Sequence, residues 1–145
     1  MRVRRAERLH TRLVWHRMDV FISYARRDSA DAIVLRDALV NVGYEVFGDW
    51  LIKPGEEWAQ TITSALKKCR LVIVLCSAKS VGSTNVRNEV GVAGNRPDGS
   101  PAVFLPVKLD QVRIEGNLEY WLASSQWVDA HERDPSDWVL DVLTA

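Results

Sequence analysis

Asp19-Val20-Phe21-Ile22-Ser23-Tyr24-Ala25-Arg26-Arg27-Asp28 is the stretch from which the rest of the chain can be read. Val20, Phe21 and Ile22 form a short apolar run of β-branched and aromatic residues. The run stops abruptly in hydroxyl and charged residues, and an amphipathic helix pattern follows. This predicts a buried strand whose carboxyl end opens into a polar loop. In open α/β sheets, ligands bind in the crevice beyond the carboxyl ends of the strands. The segment therefore marks a place for function before it says what the function is.

Downstream the same grammar repeats. Asp28 or Ser29 is placed to cap a helix with Val34, Leu35, Ala38, Leu39 and Val42 at helical spacing, and Gly43 is placed to end it. Tyr44 to Phe47 reads as a second strand, followed by a loop, 48–55, with Pro54-Gly55 as its turn signal. A second helix is predicted from about Glu56 to Lys68, with Trp58, Ile62, Ala65 and Leu66 on one face. Leu71 to Cys76 is six apolar residues in a row, which suits a strand covered on both faces. Ser77 to Ser83 reads as a polar loop, and Asn85 to Ala93 as a third helix with Val86, Val90 and Ala93 inward. Ala102 to Val107 is a fourth strand. Pro106 is expected at its end, because it cannot donate to the ladder. Residues 110–125 look irregular. Gln126 to Asp129 is a short edge strand, and Pro135 to Leu143 is a last helix with Pro135 in its first turn.

Strand–helix alternation with short connections predicts an α/β fold. It is a flavodoxin-like doubly wound sheet of about five mainly parallel strands, with helices on both faces. The 145 residues suit one domain, 18–145, preceded by a basic extension, 1–17. Formal net charge is zero, with 19 basic and 19 acidic residues, so no overall field favours nucleic acid. Residues 1–17 nevertheless carry +5, from six Arg against Glu7. That segment is read as a short extension that Leu9, Leu13 and Val14 can dock, not as a nucleic-acid arm. No run approaches the roughly 18 apolar residues of a membrane span. Cys69 and Cys76 stand alone, without clustered His. They read as buried reduced thiols of a cytoplasmic protein and not as metal ligands.

Several chemistries are excluded by motif. There is no GxGxxG after the first strand, no GxxxxGK[ST] and no GxSxG elbow. His10, His16 and His131 lie away from the strand ends, which argues against a Ser-His-Asp triad. What remains is a set of polar residues after three strands. Ser23, Tyr24 and Arg26 follow the first, Asp49 and Trp50 the second, and Ser77 the third. Asn85 and Glu89 lie four apart and share one face of the third helix. Glu89 is expected toward the rim of the sheet, and Asn85 as a helix cap. Trp50, in a loop, reads as a contact residue; Trp121, Trp127 and Trp138 read as packing.

Phe21-Ile22-Ser23-Tyr24 resembles the first box of TIR (Toll/interleukin-1 receptor) domains. Asp49 through Pro54-Gly55, with Trp58, resembles their second box and the loop that follows it. Leu75-Cys76-Ser77 and Val86 to Glu89 look like their third strand and next helix. Many TIR domains cleave NAD⁺ at the nicotinamide–ribose bond, with an essential glutamate in a Trp-x-x-x-Glu pattern. By that resemblance Glu89 is the catalytic carboxylate, and Asn85 stands where the pattern has Trp. Ser23, Tyr24, Arg26, Asp49, Trp50, Trp58, Ser77 and Asn85 would line the substrate site. NAD⁺ is then a substrate, and no cofactor or metal is implied. The resemblance further implies activation by self-association through loop 48–55, a fused or separate sensor domain, and a role in bacterial antiphage defence or signalling. Neither nucleic acid nor membrane is expected to be bound directly. A non-enzymatic TIR–TIR interaction module is the alternative.

Overall fold

The computed structural model describes residues 19–51, 58–97, 99, 100 and 102–144, with Leu51, Trp58 and Ala59 described by their backbone alone. The basic extension 1–17, Pro54-Gly55 and the predicted helix start at Glu56 and Glu57 lie outside the described residues. Among the described residues ten strands and α-helices alternate: β1 (Asp19–Ser23), α1 (Ser29–Asn41), β2 (Glu45–Phe47), α2 (Trp58–Lys68), β3 (Leu71–Cys76), α3 (Thr84–Gly94), β4 (Val103–Lys108), α4 (Gly116–Leu122), β5 (Val128–Asp129) and α5 (Pro135–Thr144). Short 3₁₀ turns follow β1 at Arg26–Asp28 and β2 at Asp49–Leu51.

The five strands form one parallel sheet in the order β2-β1-β3-β4-β5. In this order the chain reverses direction across the sheet between β1 and β3, and that switch point is where such folds open a crevice. Side-chain alternation sorts the core into two layers. Val20, Ile22, Ile73, Leu75 and Val107 face Leu35, Leu39, Trp138 and Val142 of α1 and α5. Phe21, Val72, Val74 and Cys76 face Ile62, Leu66, Val86, Val90 and Leu122 of α2, α3 and α4. Covering on both faces is why β3 is an unbroken apolar run. α1 ends as its sequence predicts: Gly43 takes φ 102°, the left-handed region that glycine occupies without strain.

Three expectations change. Pro106 lies inside β4, opposite Val74, and not at its end. The amides of Val103 and Leu109 donate to the β3 side, at Arg70 and Cys76, so by alternation position 106 points to the other side. There β5 pairs only with Val107 and Lys108, so the missing N–H costs no ladder bond. Residues 110–125 are not wholly irregular, because they contain α4, which buries Leu118 and Leu122 at helical spacing. α1 receives no side-chain cap from Asp28, whose carboxylate instead accepts from Ser77.

Candidate active site

Ser23 is the last residue of β1 and, two positions on from Phe21, shares its face toward α3. Glu89 follows Val86 by three residues, so the helix turns it to the same inward side. The two meet: Ser23 Oγ donates a 2.8 Å hydrogen bond to Glu89 Oε1. Glu89 is only 8% exposed, deeper than the rim position expected for it. Burial penalises its charged form and pushes the pKa up to about 7, helped by the nearby negative Asp49 and opposed by the Ser23 hydroxyl. A carboxyl shifted by burial beside a second carboxylate in a cleft marks a candidate functional group.

Tyr24 points the other way from Ser23. Its hydroxyl donates to Asp49 Oδ1, on the turn after β2. Burial, with the Asp49 hydrogen bond and charge adding to it, pushes the phenol well above its usual pKa, so it stays protonated. Ile22, Tyr24, Ala25, Arg26, Asp49, Ser83, Asn85 and Glu89 together line a cleft of about 150 Å³. The lining thus includes two carboxylate residues, Asp49 and Glu89, and one arginine, Arg26.

The structure brings together Ser23, Tyr24, Arg26, Asp49, Asn85 and Glu89. Asn85 is not the helix cap: Ser83 is, its hydroxyl accepting from the amide of Val86. Asn85 sits in the first turn and lines the cleft, as does Ser83, which sequence reasoning passed over. A Ser three residues before the first buried helical position, Val86, is the cap signal that locates it. Trp50 is not a wall of the cleft. Its ring stacks on Tyr24 with centroids 5.9 Å apart, and it packs against the α1 layer of the core. Ser77 is not brought to Glu89 either. It lies on the far flank of β1, bonded to Asp28 and Ser80. Trp58 begins α2, and its side chain lies outside the described residues.

Comparison with known proteins follows the same lines. The sequence profile of the family described as TIR domain matches residues 20–142. A protein of Sinorhizobium fredii, uncharacterized protein y4cD, is 31% identical over 75 residues, which are 49% of this chain and 12% of that protein. The chain thus spans a small fraction of the curated relative it matches. The TIR domains of the activated Roq1 resistosome, which recognises the pathogen effector XopQ, superpose with TM-score 0.68 at 19% identity, covering 88% of this chain and 98% of theirs. The CMP N-glycosidase BcmB of Clostridium botulinum superposes with TM-score 0.60 at 14% identity, covering 87% of this chain and 98% of its own.

Proposed function

We propose that this chain, which belongs to the TIR domain family, is an NAD⁺ nucleosidase that uses Glu89 to cleave the nicotinamide–ribose bond. The observation that carries the reading is the buried Glu89 carboxyl, held by Ser23 and open to a cleft at the sheet's switch point. In the reaction the bond from ribose C1′ to the pyridinium nitrogen breaks, and its electron pair neutralises the nicotinamide ring. The ring leaves neutral, so no general acid is needed. The sugar passes through an oxocarbenium-like state, which an ionised carboxylate stabilises by charge or by holding a ribose hydroxyl. Water then adds at C1′ and releases one proton, giving ADP-ribose; capture by a group of the substrate itself gives a cyclic isomer.

The cleft suits this substrate in charge and in size. Asp49 and Glu89 outnumber Arg26, which favours a cationic ring and a cationic transition state. About 150 Å³ is smaller than the roughly 300–1,000 Å³ of whole ligand sites, so it takes about a nicotinamide ring and leaves the rest of the dinucleotide at the mouth. The C. botulinum neighbour is named for cleavage of an N-glycoside, so the same fold holds that class of reaction. Self-association of the chain, with loop 48–55 at the contact, is part of the proposal, as is a sensor domain fused or separate.

A second reading, a TIR module that acts only by assembly, is favoured by Asn85. An amide stands in the cleft where the family pattern places an aromatic ring able to stack on the substrate. One assay decides. Concentrated protein under crowding is given NAD⁺ or CMP, and base release is followed beside Glu89→Gln. Nicotinamide release that falls about a thousandfold in the variant is expected. Release at the wild-type rate in Glu89→Gln removes the catalytic assignment. No release by assembled wild type leaves the module reading, and release from CMP alone replaces the substrate.

A further inference from the structure

We propose that Arg36 is a positioning residue for this site: laid over Trp50, it completes an Arg36–Trp50–Tyr24 column that holds Asp49 on the cleft wall shared with Glu89. The inference rests on the nucleosidase reading for its kinetic consequences, and on the geometry alone for its electrostatic ones.

The column joins three parts of the fold. Arg36 stands half-buried on α1, one residue beyond the buried Leu35. Its guanidinium carbon lies 5.4 Å from the Trp50 ring centroid, within the range of a cation–π contact. Its Nε donates to Asp37 Oδ1 at 3.0 Å, a pair exposed on the same helix. Trp50 in turn lies within 19° of parallel to Tyr24. Gly48 makes room for it: a Cβ at that position would come within 2.3 Å of the Trp50 ring. Tyr24 then spends its hydroxyl on Asp49. Every member of the column is thus held on one side by the next, and the last contact is a carboxylate that lines the cleft.

Tyr24 and Trp50 also pack against the core under α1, but Asp49 itself has no such anchor. Asp49 is carried by a three-residue 3₁₀ turn, a short element with little stiffness of its own. Without the column its carboxylate is free to turn to water. Its negative field on Glu89 and on a cationic substrate then weakens. Arg36 touches neither, so it acts only through Trp50 and Tyr24.

The test uses the full chain with Arg36→Ala, Arg36→Met and Arg36→Lys. Two readouts are followed: kcat and KM for nicotinamide release, and the Glu89 carboxyl titration by carbon NMR, assigned with Glu89→Gln. The groups acting on that carboxyl are Ser23, Asp49 and Tyr24, and Arg26 and Asn85 line the same cleft. Ala and Met, which lose the cation, are expected to lower kcat about tenfold with KM within about twofold. Both should also move the Glu89 midpoint down from about 7, because Asp49 is one of the groups that raises it. Lys, which keeps a cation on the ring, should restore most of both. Wild-type kcat and midpoint in Arg36→Ala overturn the proposal. So does a loss that is equal in Lys and Met and follows melting temperature alone. If the wild type releases no nicotinamide, the nucleosidase reading falls by itself, and the NMR midpoint still decides the role of Arg36.

Discussion

Ser23 ends β1 and Ser77 follows β3, so two small hydroxyls stand beyond adjacent strands at the same switch point. Both are buried, yet their surroundings differ in kind. Ser77 Oγ donates to Asp28 and accepts from the amides of Lys79 and Ser80. Ser80 Oγ closes the turn by donating to the Ser77 carbonyl, and Asp110 accepts from the amide of Ala78. That cluster is completed by the protein itself. Among the described residues Ser23 Oγ makes one hydrogen bond, to Glu89, and that carboxylate lines a cleft. The difference teaches that a polar residue at a strand end becomes a candidate for chemistry when its partners leave hydrogen bonds to be made by a ligand. A closed network stabilises a turn.

The largest effect that sharpens this contrast is on stability. Burial lifts the folded-state pKa of Glu89 from 4.5 to about 7. The folded state therefore binds that proton more tightly than the unfolded chain. Its stabilising contribution is complete below pH 4.5 and is lost as pH rises through 7. At pH 8 the ionised group costs about 3 kcal/mol. Glu89→Gln keeps an acceptor for Ser23 and carries no charge. It should raise unfolding free energy at pH 8 by about 2–3 kcal/mol and change it little at pH 4. Urea unfolding at the two pH values reads this directly. Equal shifts at both would mean that the gain comes from packing and not from ionisation. A site that gives up activity and gains stability when neutralised is one held open at a cost.

Ser77→Ala should behave in the opposite way. It strips a partner from the Asp28 carboxylate and from two turn amides, and should destabilise by about 1–3 kcal/mol. Nicotinamide release by the remaining folded protein should stay within about twofold of wild type. A loss of kcat comparable to that in Glu89→Gln, with melting temperature preserved, would join the two clusters into one site and end the distinction drawn here.

Much of this fold was legible because a sheet covered on both faces needs continuous apolar strands, and Val20–Ile22 and Leu71–Cys76 supply them. α4 was not, because seven residues opening on Gly116 give too few turns for periodicity to register. Pro106 was misplaced because the direction of a missing N–H depends on strand parity and on where β5 begins. The meeting of Ser23 with Glu89 was partly legible from alternation on β1 and helical spacing on α3. Its place in a single cleft with Asp49 needed the resemblance to a family. Ser77 was grouped with them because a strand end does not reveal to which flank its loop turns. Arg36 gave no signal at all, since its contact with Trp50 joins a helix surface to a loop ring across the fold.

The smallest predicted effect tests the contact at the centre of the comparison. The Ser23 hydroxyl donates to Glu89 and favours its ionised form, holding the pKa below where burial alone would set it. Ser23→Ala removes that donor and leaves the carboxyl as buried as before. The midpoint should therefore rise above 7, by about one unit if the bond has the strength usual for a charged acceptor. In the proposed reaction the carboxylate is the active form, so the wild-type rate should climb about tenfold per pH unit below 7 and level off above 8. In Ser23→Ala the whole profile should move to higher pH, with the plateau rate reduced only modestly. Ser77→Ala, one strand away, should leave the midpoint where it was. A profile that moves to lower pH in Ser23→Ala would mean that water replaces the hydroxyl and solvates Glu89 better than Ser23 does, and that the cleft is wetter than its burial implies.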